Sequence, residues 1–424
     1  MNKIENKKIN EKCYTKVLQN GLTVMIIPKK DIQKKYIIWA TKFGSIDNTF
    51  IDQITGKKIT VPDGIAHFLE HKMFEQKNGV DSLYKLMALG IDANAYTTND
   101  HTAYLFECSD HFYEGLDELM DYVQNPYYTD ENVEKEKGII GQEIRMYEDD
   151  PSWRLYINTM DCMYKNNPIK IDIAGTEESI APINPKMLYD CYNNFYHPSN
   201  MVLVVVGDFE PENLLKEIEK RLLPKQKRGE IQRIYPEEQE EINFKKKEES
   251  MDVSKPIFMI GIKVPNDNAK ELVKKHLAID ILLNILVGKS SKLFNKLYQE
   301  GLLLDEPYGE FEFSKEYAHI LISAQSKNPQ KVNEYFWNEV QNLKENGIDS
   351  ETFKRIKKKI YGSYVTEYND VSSVGRMFAS DFVKGINSFD YINEFEKIDE
   401  EYTKMILDKL FVEEKSVISV VNPF

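Results

Sequence analysis

A charged, proline-punctuated stretch from Leu223 to Pro256 divides the sequence, and any fold must accommodate that interruption. It reads LPKQKRGEIQRIYPEEQEEINFKKKEESMDVSKP, too polar to build a core of its own. The stretch predicts a linker with room for one or two strands leading into the second half. The flanking segments are alike in order. The first has strand patterns at Leu22–Ile27 and Tyr36–Ala40 and closes on the β-branched run Met201–Val206, just before Gly207-Asp208. The second opens with Ile257–Ile262 and closes with Val417–Val421. Between these ends lie helical periodicities such as Leu277–Val287 and Val332–Glu345, the latter stopped by Asn346-Gly347. At 424 residues the chain exceeds a single core. The reading is an α+β protein with an N-terminal domain over 1–222, a linker over 223–256 and a C-terminal domain over 257–424. The two domains repeat in pattern, as after a duplication, rather than in residue identity.

The formal net charge is −14, with no basic face to suit a polyanion, so nucleic acid is excluded as a partner. No apolar run is long enough for a helix to span a bilayer, and no membrane partner is expected. The charged start MNKIENKKINEKCYTKVL lacks the apolar core of a signal peptide. Cys13, Cys108, Cys162 and Cys191 are scattered, without a CxxC pair. Together these features predict a cytoplasmic protein with reduced thiols. There is no phosphate-binding glycine loop and no G-x-S-x-G elbow, so nucleotide and serine-hydrolase chemistry have no support.

The chemistry concentrates in Val61–Phe74, VPDGIAHFLEHKMF. Pro62-Asp63-Gly64 predicts a turn, with Asp63 as the N-cap of a helix. On that helix Ile65, Phe68, Leu69 and Met73 form an apolar side. His67 and His71 stand at i and i+4, so both imidazoles can point at one ion. Glu70 projects close to the same face and can accept a proton from a water held there. Histidine is scarce, and an H-x-x-E-H string would arise by chance in on the order of one such chain in a hundred. A third ligand is required, and the helical segment Asn132–Asp149 offers Glu136 and Glu143, two turns apart on one face. Either could reach the metal. Glu143 is favoured, with Glu136 close by, orienting a ligand or shifting its basicity and so counted with Glu70 among the catalytic residues. His101, His111, His197, His276 and His319 lack partners at ligand spacing and read as core or surface histidines.

H-F-L-E-H resembles the inverted zinc motif of the insulinase/pitrilysin peptidases. The resemblance runs over nearly the whole chain. Glu136…Glu143 resembles the family's E-x6-E pair, whose second glutamate is the third zinc ligand. Further matches are Asn20-Gly21-Leu22, Asn94-Ala95-Tyr96-Thr97, Gly175-Thr176 and Tyr196-His197-Pro198-Ser199-Asn200. The resemblance implies two homologous α/β-roll domains, mixed or antiparallel sheets packed by helices. It further implies that the chain is half of a clam-shaped peptidase, with one Zn2+ per chain. The chamber would be closed by a second subunit, a copy of the chain or a paralogue without the zinc motif. Asn94, Ala95 and Tyr96 would lie on an edge strand to which the peptide adds. One departure stands out. The family's second domain carries an arginine and a tyrosine that engage substrate. Here Tyr298 occupies the expected arginine position, and Tyr308 is the candidate for the tyrosine at altered spacing.

The expectation is therefore a zinc metalloendopeptidase acting on unstructured peptides, with His67, His71 and Glu143 as ligands and Glu70 as general base. Two alternatives are a processing peptidase for one leader or modified peptide, and a non-catalytic scaffold subunit.

Overall fold

The β-branched runs become sheet centres because they are apolar on both faces, as strands covered from two sides must be. In the computed structural model, which describes residues 1–424 other than Asn78, Met201–Gly207 is buried along its whole length. The chain divides into two compact units, and the division does not follow the chain. The first unit holds 1–144, 172–235 and 366–388; the second holds 145–171, 236–365 and 389–424.

The first unit is built on seven strands: β1 (Asn2–Asn6), β2 (Glu11–Val17), β3 (Thr23–Pro28), β4 (Lys35–Thr41), β7 (Asp92–Thr97), β8 (Thr102–Cys108) and β9 (Met201–Gly207). Two short strands, β5 (Thr49–Ile51) and β6 (Lys58–Thr60), form a separate hairpin. The sheet order is β1-β2-β3-β9-β4-β8-β7. The second unit carries β10 (Lys246–Met251), β11 (Ile257–Lys263), β12 (Tyr308–Phe313), β13 (Ala318–Gln325) and β14 (Ser416–Pro423), in the order β10-β14-β11-β13-β12. Set β3-β9-β4-β8-β7 beside it and the two coincide. The first pair is parallel in both sheets and the next three pairs are antiparallel. The two units are α/β domains of one topology, each with helices packed on its sheet.

Each sheet covers a face with a helix supplied by the other half of the sequence. Val371–Lys384 packs on β4 and β9 of the first sheet. It approaches so closely at Gly375 that a Cβ there would lie 2.3 Å from the Tyr36 ring. Pro151–Met163, started by Asp150 accepting from the Ser152 and Trp153 N–H groups, packs on β11 and β14 of the second. There Gly261 makes room for Thr159 and Met163. The contiguous domains 1–222 and 257–424 are thus each interrupted by a segment belonging to the other unit. The physical reason is that an apolar helix stripe specifies a sheet face to cover, not which sheet.

The charged stretch is tied down at intervals. Arg233 Nε donates to Asp47 (2.9 Å) and the Tyr235 hydroxyl to the same carboxylate (2.6 Å). Further on, Glu238 accepts from the backbone N–H groups of Lys165, Asn166 and Asn167. Its last part supplies β10, one of the strands for which the sequence leaves room.

On the other face of the first sheet lies the motif helix, Ile65–Lys72. Its N-cap is Gly64, not Asp63. Gly64 has φ 87°, and a Cβ would meet the Ala174 carbonyl at 2.3 Å, so only glycine fits the turn. Asp63 instead accepts from the Asn48 side-chain amide at 2.9 Å.

Candidate metal centre

Ile65, Phe68 and Leu69 anchor the motif helix in the core, which turns His67 and His71 toward the helix Asp130–Glu148. The imidazole centroids are 4.6 Å apart. Glu143 faces both rings: its Oε1 is 3.7 Å from His67 Nε2 and its Oε2 is 3.3 Å from His71 Nε2. One potential ligand atom from each of the three residues lies within 4.8 Å of the others, and this is the one such group of three among the described residues. Two donors each about 2.0–2.1 Å from a tetrahedral zinc stand roughly 3.3–3.4 Å apart. The His71–Glu143 separation matches that spacing and the His67–Glu143 separation is a few tenths of an ångström longer, and two imidazole nitrogens with one carboxylate are donors zinc accepts.

Glu136 touches the centre through His71. Its Oε1 lies 3.1 Å from His71 Nδ1, so that nitrogen carries the proton and Nε2 is left as the donor facing Glu143. His67 Nδ1, by contrast, is buried with no hydrogen-bond partner. Glu70 is buried beside the pair, and Thr97 Oγ1 donates to its Oε2 at 2.6 Å. Burial pushes the Glu70 carboxyl above the ordinary carboxylate range, partly offset by His67, by the Thr97 hydrogen bond and by His71. For His71, burial opposes the charged form, but the hydrogen bond to Glu136 and the charges of Glu70 and Glu143 outweigh it and raise the imidazolium. For Glu136, burial is likewise overcome, by His71 and Lys72, and the carboxyl is held low. Three carboxylates crowd two imidazoles here, an arrangement that favours a cation.

Of the residues singled out in the sequence, His67, His71, Glu70, Glu136 and Glu143 come together. Asn94, Ala95 and Tyr96 lie in β7, an edge strand of the sheet. Ala95 packs toward the core, while Asn94 and Tyr96 take the opposite face. Asn94 Oδ1 accepts from the Ala95 N–H at 2.8 Å. A cavity of about 460 Å3 is lined by Glu70, His71, Phe74, Asn94, Ala95 and Glu136 among others. A larger one of about 650 Å3, along Lys16–Asn20 and Leu222–Gln226, touches none of the site residues. Tyr298 and Tyr308 belong to the second unit. Tyr298 is exposed on the helix Lys292–Gln299, and Tyr308 opens β12 with its hydroxyl donating to Glu310 at 3.0 Å. His101, His111, His276 and His319 do have a carboxylate each, at 2.6, 3.1, 3.6 and 3.2 Å, but none joins a group of three.

The residue that sequence reasoning missed is Lys72. Its side chain is 1% exposed, and its Nζ donates to Glu136 Oε2 (3.3 Å) and to Glu75. The signal was present: Lys72 follows Phe68 by four and Leu69 by three, on the apolar side of the helix, where a charge is out of place.

Known proteins resemble the chain over nearly its whole length. Residues 60–177 match the family model described as insulinase (peptidase family M16), and residues 182–360 match the one described as peptidase M16 inactive domain. The uncharacterized zinc protease YmfH of Bacillus subtilis is 38% identical over 99% of this chain and 98% of its own length. A crystal structure of an M16-like peptidase from Alicyclobacillus acidocaldarius is 34% identical, covers 99% of this chain and all of its own, and superposes with a TM-score of 0.93. Pitrilysin, at 17% identity and a TM-score of 0.77, shares the fold; this chain covers 46% of it.

Proposed function

Since the chain belongs to the insulinase family of peptidases (family M16), we propose that it is a zinc-dependent endopeptidase cleaving unstructured peptides. The observation that carries this is the convergence of potential ligand atoms of His67, His71 and Glu143 within 4.8 Å of one another, with the buried carboxylate of Glu70 beside them. The three residues would hold one Zn2+, which when bound supplies Lewis acidity and lowers the pKa of an attacking water. Glu70 takes the proton of that water and returns it to the amine of the leaving half. Thr97 keeps the Glu70 carboxylate aimed, and Glu136 fixes the ring of His71.

Substrate enters as an added strand. β7 ends its sheet with one edge unpaired, and main-chain hydrogen bonds along that edge bind peptide with little demand on sequence. Asn94 and Ala95 line the cavity beside Glu70 and would seat the chain flanking the scissile bond. A chamber that admits only unstructured peptides would be closed by a second subunit, a copy of this chain or a paralogue. A paralogue could also supply the arginine that Tyr298 replaces, and Tyr308 is the candidate for oxyanion contact. The chain spans about half of pitrilysin, which supports pairing of halves.

Glu70→Gln tests the assignment. It should keep zinc at one ion per chain by elemental analysis and lose peptide cleavage by at least about 1000-fold. A variant that still cleaves removes Glu70 as the base.

A further inference from the structure

The family's zinc chemistry accounts for His67, His71, Glu143, Glu70 and Glu136, but not for a lysine sealed in the protein next to them. Burying an ammonium is costly, and replacing a buried ion pair by an apolar residue of similar length is often neutral or stabilising. Stability therefore does not explain Lys72. Its contacts do. The Glu136 carboxylate has two oxygens, and the structure divides them: Oε1 goes to His71 Nδ1 at 3.1 Å and Oε2 to Lys72 Nζ at 3.3 Å. Lys72 is held in turn by Glu75, which lines the same cavity as Glu70 and Asn94. The result is a fixed file, Glu75–Lys72–Glu136–His71, running along the end of the motif helix.

We propose that Lys72 is a positioning residue of the metal centre, locking the rotation of the Glu136 carboxylate so that His71 presents Nε2 to the ion. The inference rests on the reading of His67, His71 and Glu143 as zinc ligands, and it adds a residue to that centre. A lysine in this place turns Glu136 from a carboxylate that could swing or protonate into one with a single arrangement. Partners of this kind, behind a ligating histidine, are worth tenfold to a hundredfold in metal affinity.

The test is zinc binding to the full chain, by competition with a chromophoric chelator, alongside urea unfolding of the zinc-free protein. Lys72→Met should weaken zinc about 10- to 100-fold while the zinc-free chain still unfolds cooperatively. Because Lys72 acts through Glu136, Glu136→Met and the double variant K72M/E136M should bind zinc equally, within about twofold. That pair decides the matter even where K72M alone does not fold, since the double variant strands neither charge. Wild-type affinity in K72M overturns the proposal, as does a double variant tenfold or more weaker than E136M. If the wild-type chain binds no zinc in the same titration, the ligand assignment itself falls.

Discussion

Glu70 shows how much of the chemistry is set by single contacts. Its carboxyl is raised by burial and drawn back by the Thr97 hydroxyl. Removing that hydroxyl leaves burial less opposed, so Thr97→Val should move the acid limb of the pH–rate profile to higher pH and lower kcat about tenfold. An unchanged profile would show that the hydrogen bond is incidental. A second residue-scale expectation concerns His197, buried and accepting the Ser199 N–H on Nδ1 at 3.2 Å. Burial, then Arg228 and Lys225, pushes its imidazole down from 6.5 to about 4. As pH falls the unfolded chain therefore takes up this proton first. Stability is full above about 6.5 and drops as pH falls toward about 4, by about 3 kcal/mol. His197→Asn keeps an acceptor near the Ser199 N–H without the titration, and its urea midpoint should fall less between pH 7 and pH 4.5. The sequence showed the histidine pair and Glu70 directly, because the i, i+4 spacing leaves little freedom. Spacing along a second helix offered both Glu136 and Glu143, of which the structure sets Glu143 opposite both imidazoles. Lys72 and Thr97 were not legible as partners of Glu136 and Glu70, because both act across elements brought together only by folding.

At the scale of elements, the strands at sheet centres were readable because their apolar runs admit no other place. Leu22–Ile27, Tyr36–Ala40, Met201–Val206, Ile257–Ile262 and Val417–Val421 correspond to β3, β4, β9, β11 and β14 within a residue or two at their ends. The cap of the motif helix was not, since Asp63 and Gly64 both suit a helix start and only the nearness of Ala174 selects the glycine. The helix Val371–Lys384 offers an element-scale test at Gly375. Alanine is a better helix former by about 1 kcal/mol, but its methyl group would collide with the buried Tyr36 ring. Overpacking at such a contact costs about 1–3 kcal/mol. Gly375→Ala should accordingly lower the urea midpoint, and a stabilised variant would show that the helix can lift away from β4 without penalty.

At the scale of the whole molecule, the repeated strand order is the feature that hydrophobic patterning anticipated, and the exchange of helices is the one it could not. Nothing local marks Pro151–Met163 as belonging with β11 and β14 rather than with the strands that precede it. A consequence can be measured. Residues 1–222 made alone lack Val371–Lys384 and leave the face of β4 and β9 bare, so the fragment should be aggregated or bind a hydrophobic dye. Co-expression with 223–424 should yield a soluble complex that unfolds cooperatively. A soluble, cooperatively folded 1–222 fragment would show that the borrowed helix is dispensable.

The same exchange bears on how the chain is made. A nascent polypeptide leaves the ribosome in order, and β1 to β9 are all outside long before Val371–Lys384 exists. Strands β10 to β13 are synthesised in the meantime, while the apolar face around Tyr36 waits for its cover. The unit that carries the motif helix therefore reaches its final form only late in translation, after most of its twin, and for that interval its unfinished sheet is the surface that a chaperone would find.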